Sequence, residues 1–155
     1  MNEFYRILVL IAATIIGVGG VGIMFGVHRK HMAWGIISAI ICCVSYEMGL
    51  LAGWGLLASA IVGSFMTSFY AYVMARVLKI PATFMIIIGI LPLVPGARLY
   101  YTMLGLVNSD MEMFYFYGET ALLIAAGIAI GIIAVTAMFR PINSMLKKAS
   151  KKKSV

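Results

Sequence analysis

The chain has 155 residues, of which 63% are hydrophobic and 11% are charged, and its formal net charge is +7. A soluble domain of this size is about half apolar and about a quarter charged, so the composition excludes an ordinary soluble domain and indicates a polytopic membrane protein. The basic residues lie in short loops and in the C-terminal tail, so membrane topology accounts for the positive charge better than nucleic-acid binding does.

Five apolar stretches predict five membrane-spanning helices, since each is near the length that crosses about 30 Å of hydrocarbon. The connecting loops are short, so consecutive helices should run antiparallel. We expect an all-α polytopic membrane helix bundle, with a single transmembrane domain over residues 1–142 and a basic cytoplasmic tail over residues 143–155. The predicted spans are residues 4–27, 32–51, 54–77, 83–106 and 115–139.

The basic residues are divided unequally between the two sides that this topology defines. Arg6 shares its side with Glu3, Asp110 and Glu112, whereas ten of the twelve basic residues fall on the opposite side. The positive-inside rule therefore places the N-terminus outside the cell membrane and the C-terminus in the cytoplasm. The ten residues are Arg29, Lys30, Arg76, Lys79, Arg140, Lys147, Lys148, Lys151, Lys152 and Lys153.

Small residues recur at a spacing that lets membrane helices approach closely. Gly49 and Gly53 have this spacing, and so do Gly127 and Gly131. Most of these small residues are expected to pack against other helices within the bundle. The first span is the candidate docking face for a second subunit, because it carries a cluster of five glycines: Gly17, Gly19, Gly20, Gly22 and Gly26.

The sequence carries no recognisable nucleophile–base arrangement, phosphate loop or metal cluster. Cys42 and Cys43 are adjacent in an apolar run and are expected to be packed thiols. His28 and His31 lack neighbouring thiols or carboxylates, so they are interpreted as part of a solvated basic loop. We expect no enzymatic activity, no cofactor and no bound metal.

The most informative stretch is residues 92–100, Pro-Leu-Val-Pro-Gly-Ala-Arg-Leu-Tyr, inside the predicted fourth span. Proline removes a backbone donor and clashes with the preceding turn, so Pro92 and Pro95 predict a broken helix. Unwound backbone at membrane depth survives only where protein covers it or where a wet cavity borders it. The stretch therefore predicts a solute site of the kind that secondary transporters build at discontinuous helices.

Three ionisable residues lie within or near the spans: Glu47, Arg98 and Glu119. Glu47 and Arg98 each lie about 22 Å along their helix from its inner end, so they are expected at similar depth and could pair in the absence of solute. Arg98 beside the helix break suits a carboxylate, and Glu47 or Glu119 would carry a coupling proton. The alternatives are an interfacial carboxylate for Glu47 and a snorkelling side chain for Arg98.

Hydroxyl groups supply further candidates for the solute path. Ser64 and Ser68 lie on a polar stripe of the third span, although serine also satisfies helix carbonyls without any further role. Tyr46, Tyr100 and Tyr101 could donate to the same site, or they could belong to the aromatic belt at the membrane interface.

The chain resembles the threonine/serine exporter family, and in particular the small five-helix subunit of its split form. The resemblance rests on residues 78–83, Leu-Lys-Ile-Pro-Ala-Thr, on residues 90–96, Ile-Leu-Pro-Leu-Val-Pro-Gly, and on Tyr100. It covers roughly residues 34–133. The Pro-x-x-Pro-Gly-x-x-x-Tyr element is moderately specific, whereas a single proline in a membrane helix would not be.

This resemblance implies proton-driven export of small carboxylate-bearing solutes of the threonine and serine class, together with a large five-helix partner subunit. Some split-form relatives are associated with dicarboxylates such as succinate, which is the alternative substrate class. The family's residues map onto Pro92, Pro95, Gly96 and Tyr100, whereas the assignment of Arg98 rests on physical reasoning alone. Two other interpretations stay open: a non-transporting subunit that stabilises or regulates a partner, and a homo-oligomeric channel.

Overall fold

The fold consists of α-helices joined by short turns. The structure, a computed structural model, describes the backbone of residues 3–24 and 29–152 and the side chains of residues 5–24 and 32–140. His28, residues 153–155 and the side chains of His31 and residues 143–152 lie outside this description. The helices are α1 (Glu3–Met24), α2 (Arg29–Leu51), α3 (Gly55–Leu78), α4 (Ala82–Ile90), α5 (Gly96–Val107) and α6 (Met111–Lys152), with a 3-10 turn at Leu91–Leu93.

Four of these helices are long and apolar enough to cross a membrane, namely α1, α2, α3 and α6. The shorter helices α4 and α5 meet at an angle of 56° and together form a fifth, bent candidate span. The prediction of an all-α membrane bundle with a broken fourth span is therefore confirmed. The helix α6 continues without interruption through the predicted domain boundary at residue 142 and ends at Lys152.

The helix α3 lies at the centre of the bundle, where it packs against α2, α4 and α6. The helix α5 packs chiefly on α6, whereas α1 packs on α2 and touches the 3-10 turn. Close packing around α3 follows from its small side chains: Ser59, Ala60, Gly63, Ser64, Thr67, Ser68, Ala71 and Ala75 are all buried. Leu93, in the break, belongs to the same core as Cys42, Ala60 and Ile124.

The glycines of α6 lie against α3, whereas three of the glycines of α1 face no other part of the described chain. A Cβ atom on Gly127 would lie 2.7 Å from the Cβ of Ala60, and one on Gly131 would lie 2.8 Å from the Ile61 carbonyl oxygen. These glycines therefore let α6 touch the backbone of α3. By contrast, a Cβ on Gly17, Gly19 or Gly20 would meet nothing within 4 Å.

The turns between helices are short and stabilised locally. Lys79 adopts the left-handed conformation with φ of 55°, and its amide bonds to the Ala75 carbonyl, which ends α3. Asp110 accepts a 3.0 Å bond from the Met113 amide and so caps the start of α6. These turns make the helices that they connect antiparallel neighbours, as the sequence predicts.

Candidate functional site

The break between α4 and α5 results directly from its two prolines. Neither Pro92 nor Pro95 has an amide hydrogen to continue the helix. The chain instead forms the 3-10 turn, in which the Val94 amide bonds to the Leu91 carbonyl at 3.2 Å, and Val94 is extended with φ of −60° and ψ of 121°. Helical geometry then restarts at Gly96.

The first turn of α5 has backbone amides that no described side chain caps. The Gly96 amide bonds to the Val94 carbonyl at 2.8 Å and the Leu99 amide bonds to the Pro95 carbonyl at 3.0 Å. No side chain caps the helix, so the amides of Ala97 and Arg98 are the ones available to an anion.

Arg98 adds a guanidinium to the same turn of α5. A cation at a helix N-terminus faces the positive end of the helix dipole, which is unfavourable unless an anion is nearby. Atom Nη1 of Arg98 is buried and has no hydrogen-bond partner among the described residues, and the side chain forms no ion pair with them. This turn of α5 therefore combines uncapped amides with a guanidinium, which makes it the candidate anion site of the chain.

Tyr46 on α2 faces this site. Its ring packs against the core of Cys42, Ala60, Leu93 and Ile124, and its hydroxyl is buried. The hydroxyl lies beside the Arg98 guanidinium, within reach of a hydrogen bond from it, and it is also within electrostatic range of Glu47. Tyr46 is thus placed to donate to an anion beside Arg98. Tyr101 is instead 41% exposed and packs against Tyr117, with the ring centroids 5.1 Å apart and the planes tilted by 32°.

Glu47 is paired with a residue other than the one predicted. Its Oε2 accepts a 2.6 Å hydrogen bond from Nη2 of Arg6, and the side chains of Arg6 and Glu47 are 47% and 12% exposed. The described residues form no ion pair between Glu47 and Arg98, which the sequence left as a possibility. Sequence reasoning assigned no partner to Arg6. Arg6 nevertheless lies near the start of α1 and Glu47 near the end of α2, so the two residues are at similar depth.

The structure does not bring Tyr100 and Glu119 into the same site. Tyr100 is 63% exposed and packs edge-on against Tyr101 at 5.5 Å. Glu119 is exposed on α6, and none of the described contacts joins it to Arg98 or Glu47. Glu47 is therefore the least exposed carboxylate among the residues whose side chains are described.

Ser64 and Ser68 lie in the packed interior and not on an open path. The Ser64 hydroxyl donates to the Ala60 carbonyl at 2.7 Å and lies 3.2 Å from the Gly127 carbonyl on α6. Ser68 is fully buried, and no described residue forms a hydrogen bond with its hydroxyl. The structure therefore gives Ser64 a role in the contact of α3 with α6, and the predicted role of both serines as solute ligands stays untested.

Two clefts flank the break, and each contains one of its prolines. Pro92 lines a cleft of about 300 Å³ between α1 and α2, together with Thr14 and Cys43. Pro95 lines an almost purely apolar cleft of about 530 Å³ between α5 and α6, together with Gly118 and Ala125. The 3-10 turn thus borders the cleft between α1 and α2, whereas the start of α5 borders the apolar cleft between α5 and α6.

The described residues contain no group of three or more histidine, cysteine, aspartate or glutamate side chains that could hold a metal ion. Cys42 and Cys43 are both free and buried, as expected for packed thiols. The site consists of one guanidinium, one phenol hydroxyl and two backbone amides, which suit a carboxylate by charge-assisted hydrogen bonds.

Comparison with known proteins gives one match. A family model described as threonine/serine exporter, ThrE, matches residues 10–138 of the chain. This range includes the break, Arg98, Tyr46 and Glu47, but it begins after Arg6. No curated protein sequence and no solved structure gives a significant match.

Proposed function

Because the chain belongs to the threonine/serine exporter family, a family of membrane transporters, we propose that it is one subunit of a proton-driven exporter of small carboxylate-bearing solutes such as threonine and serine. The observation that carries this proposal is the buried, unpartnered Nη1 of Arg98 at the broken helix. A buried polar nitrogen without a hydrogen-bond partner is costly, so its position at an uncapped helix N-terminus favours a solute anion as the missing partner.

The solute carboxylate would bind between α5 and α2. One oxygen would accept hydrogen bonds from the amides of Ala97 and Arg98, and the other would accept from the Arg98 guanidinium and the Tyr46 hydroxyl. The helix break formed by Pro92, Pro95 and Gly96 would contribute by leaving the amides at the start of α5 available to the solute. A rearrangement of the helices would be needed before Tyr100, Ser64 or Ser68 could contribute. Tyr100 is exposed and the two serines are buried in the packed interior, away from Arg98 and Tyr46.

A second protein chain is proposed because the break is incompletely covered. Val94 is 51% exposed, and Gly96 and Ala97 are exposed as well. Irregular backbone does not face lipid at membrane depth, because its polar groups would have no hydrogen-bond partner there. A second five-helix subunit would cover this segment and would form the other half of a transporter that alternates access by movement of one half against the other.

Glu47 is the stronger candidate for the coupling proton. It lies one residue from Tyr46 and is mostly buried, whereas Glu119 is exposed. We place Glu47, Arg98 and Tyr46 on the outer side of the membrane, because the basic residues concentrate at the opposite ends of the helices. The N-terminus would then lie outside and the C-terminus in the cytoplasm.

The test is efflux from cells that are preloaded with labelled threonine, serine or succinate. The chain is expressed alone, with its candidate five-helix partner, and with the partner plus Arg98→Gln; Arg140→Gln, an exposed cation at the other end of the bundle, is the matched control. We expect efflux only with the partner, lost in Arg98→Gln and kept in Arg140→Gln at equal membrane levels.

The other outcomes would contradict this proposal in distinguishable ways. Efflux from the chain alone would indicate a homo-oligomer. Efflux that requires the partner but is unchanged in Arg98→Gln would place the solute site elsewhere and favour a supporting role for this subunit. Passive flux that does not depend on a proton gradient would indicate a channel.

A further inference from the structure

A cleft with a cationic edge lies where α3 ends and α4 begins, away from the helix break. Its volume is about 230 Å³, and it is lined by Tyr72, Ala75, Arg76, Ile80 and Ala82. Lys79, which ends α3 in the left-handed conformation, is exposed and directly precedes Ile80 of the lining. The cleft therefore has a guanidinium in its wall and an ammonium group beside it in the chain.

The guanidinium of Arg76 is positioned by an aromatic stack. Its Cζ lies 5.1 Å from the centroid of the Phe139 ring, and the Tyr72 ring stacks on Phe139 at 4.9 Å with the two planes 5° apart. The Tyr72 hydroxyl donates to Oγ1 of Thr136 at 3.3 Å, which links the stack to α6. A cation over an aromatic face is attracted by the ring, so the stack favours a position of the cationic group at the cleft.

No acidic side chain of the sequence lies at this end of the bundle. The five acidic residues lie near the opposite end, within about two helical turns of a helix terminus there: Glu3, Glu47, Asp110, Glu112 and Glu119. The charges of Arg76 and Lys79 are therefore complementary to an anionic ligand at the cleft.

The exposed face of α3 next to Arg76 is apolar. Val73 and Phe69 lie about one and two turns from Arg76 toward the middle of the helix, and they are 41% and 43% exposed. Residues three or four apart share a helix face, so positions 69, 73 and 76 form a stripe about 10 Å long. A cation at the head of an apolar stripe on a membrane-spanning helix fits an amphiphile with an anionic headgroup and an acyl chain.

We propose that this cleft binds the phosphate headgroup of an anionic phospholipid, with Arg76 and Lys79 as its cationic ligands and one acyl chain along Val73 and Phe69. A guanidinium has five N–H donors, so Arg76 can bind a phosphate in addition to the contacts that it makes within the chain. Basic pockets between membrane helices recognise such headgroups. The lipid site lies away from the helix break and does not depend on the proposed function.

The test follows the thermal unfolding of the purified full-length chain in detergent as a probe is added. The probes are phosphatidylglycerol, phosphatidylcholine with the same acyl chains, and glycerophosphoglycerol, which is the anionic headgroup without acyl chains. We expect phosphatidylglycerol to stabilise the chain at concentrations at least about tenfold lower than phosphatidylcholine requires, because its headgroup forms charge-assisted hydrogen bonds without a compensating cation. Glycerophosphoglycerol should have no effect at those concentrations, because it buries no acyl chain.

Substitutions separate this site from a general attraction of basic residues to anionic lipid. Arg76→Gln should weaken the binding of phosphatidylglycerol about tenfold, and Lys79→Gln about fivefold. Phe139→Leu keeps every charge but removes the ring under Arg76, so it should also weaken this binding. Arg140→Gln is the matched control: it removes an exposed cation from the same end of the bundle, but not from the lining of the cleft, and should leave the affinity close to that of the wild type.

Three results would overturn the inference. Equal stabilisation by phosphatidylglycerol and phosphatidylcholine would mean that the headgroup is not recognised, and equal stabilisation by glycerophosphoglycerol would mean that the ligand is a free anion and not a lipid. An affinity that falls no further in Arg76→Gln than in Arg140→Gln would leave only a general attraction. If Arg76→Gln does not fold, Lys79→Gln and Phe139→Leu decide the question, and wild-type affinity in both would contradict the site.

Discussion

The guanidinium of Arg6 and the carboxylate of Glu47 join α1 to α2 across 41 residues of sequence, at a distance of 2.6 Å. The helix α1 packs chiefly on α2, and a Cβ atom added to Gly17, Gly19 or Gly20 would meet nothing within 4 Å. The ion pair is therefore a specific link between an otherwise loosely packed helix and the helix that carries Tyr46.

The strength of this link can be measured by a double-mutant cycle with Arg6→Gln and Glu47→Gln. Because Arg6 is 47% exposed, solvent screens the pair, and we expect a coupling of about 0.5–1 kcal/mol. The measurement is thermal or denaturant unfolding of the purified chain in detergent. A coupling of zero would mean that the pair does not hold α1 in place.

Substitution of Gly131 by alanine should destabilise the bundle. The added Cβ would lie 2.8 Å from the Ile61 carbonyl oxygen and 2.9 Å from the Phe65 amide nitrogen, and these backbone atoms of α3 cannot move independently. We expect a loss of about 1–3 kcal/mol, as in other overpacked cores, seen as a lower unfolding temperature. Gly20→Ala is the matched control and should be close to neutral, since its Cβ meets nothing within 4 Å.

Removal of the Tyr46 hydroxyl should weaken solute binding without unfolding the chain. The hydroxyl forms no hydrogen bond of regular geometry with the described residues, so Tyr46→Phe should keep the melting temperature. Loss of one hydrogen bond to a charged carboxylate corresponds to about tenfold in affinity. Threonine titration of the two-subunit complex tests this, with Tyr115→Phe as the exposed control; unchanged affinity in Tyr46→Phe would remove the hydroxyl from the site.

Coverage of the break by a second chain can be tested with a spin label at Ala97→Cys. If the partner covers the exposed break, the label should have low oxygen accessibility in the complex and high accessibility when this chain is reconstituted alone. A label at Ile87→Cys, whose side chain is 56% exposed on α4, reports a different face. High accessibility at position 97 in the assembled complex would show that lipid, and not protein, borders the break.

Much of the architecture could be predicted from the sequence because the thickness of the hydrocarbon core imposes a length on each span. The break followed from Pro92 and Pro95, which lack the donors that a helix needs. The partner of Glu47 could not be assigned, because α1 is apolar around its circumference and hydropathy does not determine which side faces α2. Matched depth suggested Arg98 alone, and only the packing of α1 on α2 showed that Arg6 lies against Glu47.

The predicted serines show a second limit of sequence reasoning. A polar stripe on a membrane helix is compatible with a solute path or with internal packing. The contact of Ser64 with the Gly127 carbonyl depends on the close approach of α6 to α3, which the glycine spacing of α6 suggested separately. The polar stripe of α3 and the glycine spacing of α6 thus belong to the same helix contact, and only the structure shows that they do.

The central claim is that Arg98, at the broken helix, binds the carboxylate of the exported solute. Its most direct test is equilibrium binding of labelled threonine to the purified two-subunit complex, in the wild type, Arg98→Lys and Arg98→Gln. We predict that Arg98→Gln lowers the affinity by at least about tenfold, as expected for loss of a charge-assisted hydrogen bond, and that Arg98→Lys gives an intermediate value. Equal affinity in the three complexes, at equal assembly, would contradict the account.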